Sequence, residues 1–259
     1  TATGAQAWAN VYDRSGADIL QIQSDIAAEV AGAITGQLLP EERASLTRRP
    51  TNDPIAYDLY LRGISAANGL SEASLRAGME LFDRAIARDS AFAEAYAQQA
   101  LIWLFLADSY VEGRVGYQKT REAAEHALRL DSSHGLAAAM LTWPSMALDY
   151  DGARALRLAQ RAVSLDPRVG MAHGTLGTAL ALLGHLDEAV REGRLGWLAD
   201  TLSAQGALSY LSFVQLARQT DTVAAVLPRM RLALAPEDIR EFDGWVRLMR
   251  GDAAGAAER

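Results

Sequence analysis

Ala172-His-Gly-Thr-Leu-Gly-Thr-Ala-Leu-Ala-Leu-Leu-Gly-His-Leu-Asp-Glu-Ala-Val190 is the stretch that decides how this chain folds. Leu176-Gly177, Leu180, Gly184 and Ala189 set large and small side chains at helical spacing on either side of a glycine. Two helices meeting at a turn at Gly184 satisfy that pattern. Small residues such as Gly78, Ala124, Ala155, Ala159 and Ala189 let paired helices approach closely. Bulky ones such as Phe82, Leu158 and Leu176 fill the gaps between neighbours.

Outward from this stretch the same helix ending recurs. Ala85-Ile-Ala-Arg-Asp89-Ser90, Ala127-Leu-Arg-Leu-Asp131-Ser132, Ala162-Val-Ser-Leu-Asp166-Pro167 and Leu232-Ala-Leu-Ala-Pro236 share one pattern, each closing a second helix. Ser132 and Pro167 are 35 residues apart and Pro167 and Pro236 are 69 apart, close to one and two periods of about 34. Ser90 and Ser132 are 42 apart, so that repeat carries an insertion. The period and the matches at 172–190 resemble the tetratricopeptide repeat (TPR). The resemblance implies an all-α TPR α-solenoid, a right-handed superhelix of antiparallel helix pairs. The repeats read as 55–90, 91–132, 133–167, 168–202 and 203–236, about five, with a partial sixth from Pro236 to Arg259. Trp143-Pro144 predicts a kink within a first helix, and Pro228 interrupts a second helix. Arg250-Gly251-Asp252 reads as the turn of the last hairpin.

Towards the N-terminus, Ala5-Gln-Ala-Trp-Ala-Asn-Val-Tyr12 alternates as a strand does. Asp18 opens an amphipathic helix carrying Ile19, Ile22, Ile26, Val30, Ile34 and Leu38. The proline-rich segment Pro40–Pro54 reads as a linker, which divides the chain into residues 1–50 and a repeat array at 51–259. Trp8-Ala-Asn-Val-Tyr12-Asp13-Arg14, Asp18-Ile-Leu-Gln-Ile-Gln-Ser-Asp25, Pro50-Thr-Asn-Asp-Pro54 and Ala56-Tyr57-Asp-Leu-Tyr60-Leu61-Arg62-Gly63 carry a second, narrower resemblance. The chain from Thr1 to about Leu202 is similar to the region downstream of class III adenylate cyclase or winged-helix DNA-binding domains in bacterial signalling proteins. That resemblance implies that residues 1–50 are the strand-plus-helix remnant of a truncated α/β domain. It also implies that the array is an accessory or sensing region. No catalytic or DNA-reading residue of the upstream modules lies in this sequence. The last unit stops inside its second helix with no polar capping helix, from which a missing C-terminal part is expected.

Composition narrows the function. The 259 residues carry a formal net charge of −7, and Lys119 is the only lysine, so no face concentrates the cations that nucleic acid requires. Absence of cysteine removes thiol nucleophiles and Cys-based zinc sites, and fits both a cytoplasm and a periplasm. No apolar run reaches the ~18 residues of a membrane span, so membrane insertion by this chain is not expected. His126, His134, His173 and His185 lack the spacing of a zinc motif, and no nucleophile elbow is present. Gly170, Gly174 and Gly177 follow no strand and read as close helix packing. No catalytic, cofactor or metal site is expected, and the chain reads as non-enzymatic.

What is left is a surface for partners. In a TPR array the first helix of each pair lines a groove, which places Ala97, Leu101, Leu104 and Phe105 there, then Met140, Pro144, Ala147 and Leu148, then Gly174, Thr178, Ala181 and Leu182. His173 is a packed or groove-lining residue of the same helix. This lining is apolar and lacks the Lys, Arg and Asn with which TPRs clamp a chaperone's C-terminal carboxylate. It suits an amphipathic helix or extended apolar peptide, from another protein or from a second copy in a homodimer. The alternative is a small-ligand sensor with an aromatic pocket between Trp103, Phe105 and Trp143.

Overall fold

The structure is a computed structural model that describes residues 50–257. The strand and amphipathic helix expected within 1–50 lie outside the described residues. Among these residues every regular element is helical. Helices α1 (Pro54–Ala67) and α2 (Glu72–Arg88) form the first hairpin, and α3 (Ala93–Ser109) and α4 (Gly113–Leu130) the second. In the third, α5 (Gly135–Met140) and α6 (Thr142–Ala147) share the first arm and α7 (Gly152–Leu165) is the second. Then come α8 (Gly170–Leu182) with α9 (Leu186–Ala199), and α10 (Ala204–Leu216) with α11 (Thr220–Val226), which runs on as a 3-10 turn, Leu227–Met230. Helices α12 (Pro236–Met249) and α13 (Ala253–Ala257) complete the described chain.

The joints between hairpins are one device used four times. Asp89, Asp131, Asp166 and Asp200 each end a second helix in extended backbone. Each turns its carboxylate Oδ1 back to accept the amide two residues on, from Ala91, Ser133, Arg168 and Leu202, at 3.0 Å in every case. An Asp side chain that satisfies its own turn fixes the exit angle of the chain. This is the physical content of the recurring Asp in the sequence. Five of the six described turns inside hairpins share a device: Tyr150, Gly184, Arg218 and Gly251, spaced 34, 34 and 33 residues, have left-handed φ, as does Leu70 in the first hairpin, while the second hairpin turns at Tyr110 with φ −128°. At this position the helix must end and reverse, which glycine does without strain and other residues do at a cost.

Both prolines act as predicted. Pro144 has no N–H to give the Met140 carbonyl and its ring crowds that group, so the first arm of hairpin three breaks at Leu141. Pro228 likewise ends α11 at Val226. The insertion in the second repeat is an extra turn in each arm: α3 and α4 have 17 and 18 residues where α8 and α9 have 13 and 14.

The core is a chain of alanines between helices. Ala85, Ala100, Ala124, Ala127, Ala155, Ala159, Ala162, Ala172 and Ala189 are fully buried. Large rings fit against glycines, with Phe82 over Gly63 and Phe213 over Gly177 and Gly193. The first hairpin is tied at its start, where Asp53 caps α1 through the amides of Ile55 and Ala56 and its other oxygen takes the Arg88 guanidinium at 2.8 Å.

Candidate functional site on the inner face

The predicted lining residues, all on first helices or at their ends, fall into three groups. Ala97, Leu104, Met140 and Pro144 are buried between neighbouring helices and present no surface, which corrects their assignment to the groove. The reason is geometric. A first helix in the array contacts its own partner and the hairpins before and after it, so most of its circumference is core. His173 is also a packing residue, its Nδ1 2.7 Å from a Glu192 carboxylate oxygen and its Nε2 2.9 Å from the Pro167 carbonyl oxygen. Thr178 is half-buried and spends its hydroxyl on the Gly174 carbonyl at 3.0 Å.

Leu148 and Leu182 belong to a ladder. Each stands two residues before a left-handed turn residue, and the same position holds Leu216 and Met249 in the next two units. Leu182, Leu216 and Met249 are 67%, 58% and 38% exposed, and Leu148 is half-exposed. Repeat equivalence puts these apolar side chains at the same position of four successive units. The last two rungs escaped the sequence reading because the repeats diverge after Leu202. The signal that finds them is the distance to Arg218 and Gly251.

Leu101 and Phe105 line a cavity of about 460 Å³. Its other walls are Ile64, Ala67, Asn68, Leu70, Leu75, Gln98 and Ile102 from the first two hairpins, and Met171 with Asp200, Leu202, Ser203, Ala204 and Gln205 from the joint of the fourth and fifth. The superhelix is therefore wound tightly enough for hairpins far apart in sequence to share one chamber. Of the three aromatic residues expected to wall a pocket, Phe105 lines this cavity, while Trp103 and Trp143 do not. Trp103 packs against the cluster of Leu75, Phe82, Ile102 and Leu106, and Trp143 against the buried cluster that includes Leu104, Ala139 and Met140. A second recess, about 160 Å³, lies between α8, α9 and α10 and shares Met171, Asp200, Ser203 and Gln205 with the larger chamber.

The glycines of this region differ in kind. A Cβ on Gly170 would sit 2.8 Å from the Gly196 carbonyl oxygen, and one on Gly177 would enter the Phe213 ring, as close packing predicts. Gly174 does not share that reason: only the Ser209 Oγ, at 3.9 Å, comes within 4 Å of its absent Cβ among the described residues. Gly174 floors the recess. A larger cleft of about 690 Å³, between α4 and the end of α6, is lined by charged and polar groups including Arg114, Arg121, Glu122 and Tyr150. Arg121 is committed to Asp149 at 2.8 Å and Lys119 to Glu122 at 2.8 Å.

Among the described residues no three His, Cys, Asp or Glu side chains gather to hold a metal ion, and no helix is long and apolar enough to cross a membrane.

Comparison with known proteins agrees with this architecture. No protein-family model matches the chain. Among solved structures it is similar to TTC0263, a thermophilic TPR protein of Thermus thermophilus, with a TM-score of 0.59 and 17% identity, covering 74% of this chain and 98% of that one. It is also similar to PilW, a widely conserved type IV pilus biogenesis factor, with a TM-score of 0.56 and 16% identity, covering 80% of this chain and 90% of that one. The chain is a TPR α-solenoid. In sequence it is 29% identical over 187 residues to the protein named "Putative adenylate cyclase 3" of Rhizobium meliloti (strain 1021), which is 72% of this chain and 26% of that protein. The chain spans about a quarter of the length of that curated relative.

Proposed function

We propose that this chain is a non-catalytic protein-interaction module whose ladder of Leu148, Leu182, Leu216 and Met249 receives an amphipathic helix of a partner protein. The exposed, evenly repeated row of apolar side chains carries the reading. Packed helices lie ~8–10 Å apart, and a helix advances ~10.5 Å per heptad. A partner helix with one large apolar residue per heptad therefore meets one rung per repeat. Two neighbouring rungs, each leaving water, are worth ~1.5–3 kcal/mol apiece before association costs.

The sequence likeness to an adenylate cyclase over a quarter of that protein, together with the residues of Trp8–Gly63, supports a regulatory region of a larger bacterial signalling protein. Display of a random helical peptide library on phage, selected against the purified chain, tests the interaction reading. Enrichment of apolar residues at heptad spacing is the expected outcome. Enrichment of acidic or unpatterned peptides contradicts it. Light scattering over a concentration series separates the sources, because a dimer that Leu216→Glu dissociates makes a second copy the partner.

A further inference from the structure

We propose that the chamber between the first two hairpins and the joint of hairpins four and five, with its glycine-floored recess, binds a small, uncharged, largely apolar molecule that carries a hydrogen-bonding group. Gly174 is the observation that points there. A glycine inside a helix costs ~1 kcal/mol relative to alanine. Its neighbours have packing reasons: Gly177 and Gly193 admit Phe213, and Gly196 admits the Gly170 carbonyl. Gly174 borders open space. Its missing side chain keeps a strip of helix backbone bare inside the recess, where a flat group lies directly on the peptide.

The chemistry of the walls defines the ligand. Ile64, Leu101, Phe105 and Leu202 make the chamber apolar, while Gln205 and Ser209 bring an amide and a hydroxyl to the recess. Gln205 already donates to the Ser209 Oγ at 3.3 Å, a long bond that a ligand group can replace. None of the described lining residues is Lys, Arg or His, and Asp200 adds a carboxylate, so anions are disfavoured. The two spaces, about 460 and 160 Å³, together fall in the size range of small-molecule sites. An occupant touches both ends of an arc whose middle hairpin has a broken first arm at Leu141. Binding therefore fixes the winding of the superhelix.

The test uses N-phenyl-1-naphthylamine, an uncharged aryl amine that fluoresces in apolar surroundings, and its anionic relative 8-anilinonaphthalene-1-sulfonate. Saturable binding of one uncharged probe per chain, about tenfold or more tighter than the sulfonate, is expected. Gly174→Leu fills the recess and lowers affinity by about tenfold or more. Gly174→Ala lowers it less while raising the melting temperature, and it decides the matter if the leucine variant does not fold. In hydrogen exchange the bound probe slows residues 64–75 and 199–206 together. Unsaturable binding, equal affinity for the sulfonate, or wild-type affinity in both glycine variants overturns the proposal. Protection that runs along Leu182 and Leu216 instead overturns it in favour of a ligand on the ladder.

Discussion

Gly170 and Gly196 face each other across α8 and α9, and a Cβ on either would stand 2.8–2.9 Å from the other's carbonyl oxygen. Backbone meets backbone here, so neither side can relax by turning a side chain. Gly196→Ala is expected to destabilise the chain by ~1–3 kcal/mol in urea denaturation, because overpacking outweighs the gain in helix propensity. Gly174→Ala, one turn along the same helix as Gly170, is expected to stabilise it by up to ~1 kcal/mol. Equal effects at the two positions contradict the distinction between a packing glycine and a vacant one.

The left-handed turns supply a second test. Tyr150 and Arg218 hold φ of +54° and +57° where Gly184 and Gly251 hold +85° and +87°. Tyr150→Gly and Arg218→Gly should each raise stability by ~1 kcal/mol, and Gly184→Ala should lower it by about as much. Thermal denaturation of the three variants reads the signs directly.

Asp166, at the joint of hairpins three and four, and Asp53, the cap of α1, respond to acid. The Arg168 guanidinium, aided by its own backbone amide, holds the Asp166 carboxyl below its usual value of 3.8. The Ala56 amide, then Arg88 and the Ile55 amide, hold Asp53 below the same value. A carboxyl that is more acidic in the folded chain contributes stability above its unfolded value and loses it as pH falls through the folded one. Stability of the wild type should therefore decline as pH drops below 3.8. Asp166→Asn keeps an oxygen acceptor for the turn and should show a shallower decline in the same titration. Asp166→Ala removes the turn bond and should cost ~0.5–1.5 kcal/mol at neutral pH.

The period and the joints were legible because they rest on local chemistry. An Asp that closes its own turn, a glycine that reverses a helix and a proline that breaks one act within four residues, so they leave a mark in the sequence. The inner face was half legible. Helices α3 and α8 are apolar nearly all round, so spacing alone did not separate Ala97 and Leu104, which are core, from Leu101 and Phe105, which line the chamber. The chamber itself was not legible. It joins Phe105 to Leu202 through the pitch of the superhelix, a sum of small rotations that no single repeat displays.

The ladder makes the most direct claim on function, and its exposure makes it safe to alter. Leu182→Asp and Leu216→Asp, on exposed side chains at helix C-termini, should each lower stability by no more than ~1.5 kcal/mol. The deciding measurement is the dissociation constant of one selected heptad-patterned helical peptide for the wild type, for the Leu182→Asp/Leu216→Asp variant and for Leu195→Asp, an exposed leucine on the second helix α9. A loss of about tenfold or more is expected for the double variant, and a change within about twofold for Leu195→Asp. Unchanged affinity in the double variant, or an equal loss in the Leu195→Asp control, would contradict it.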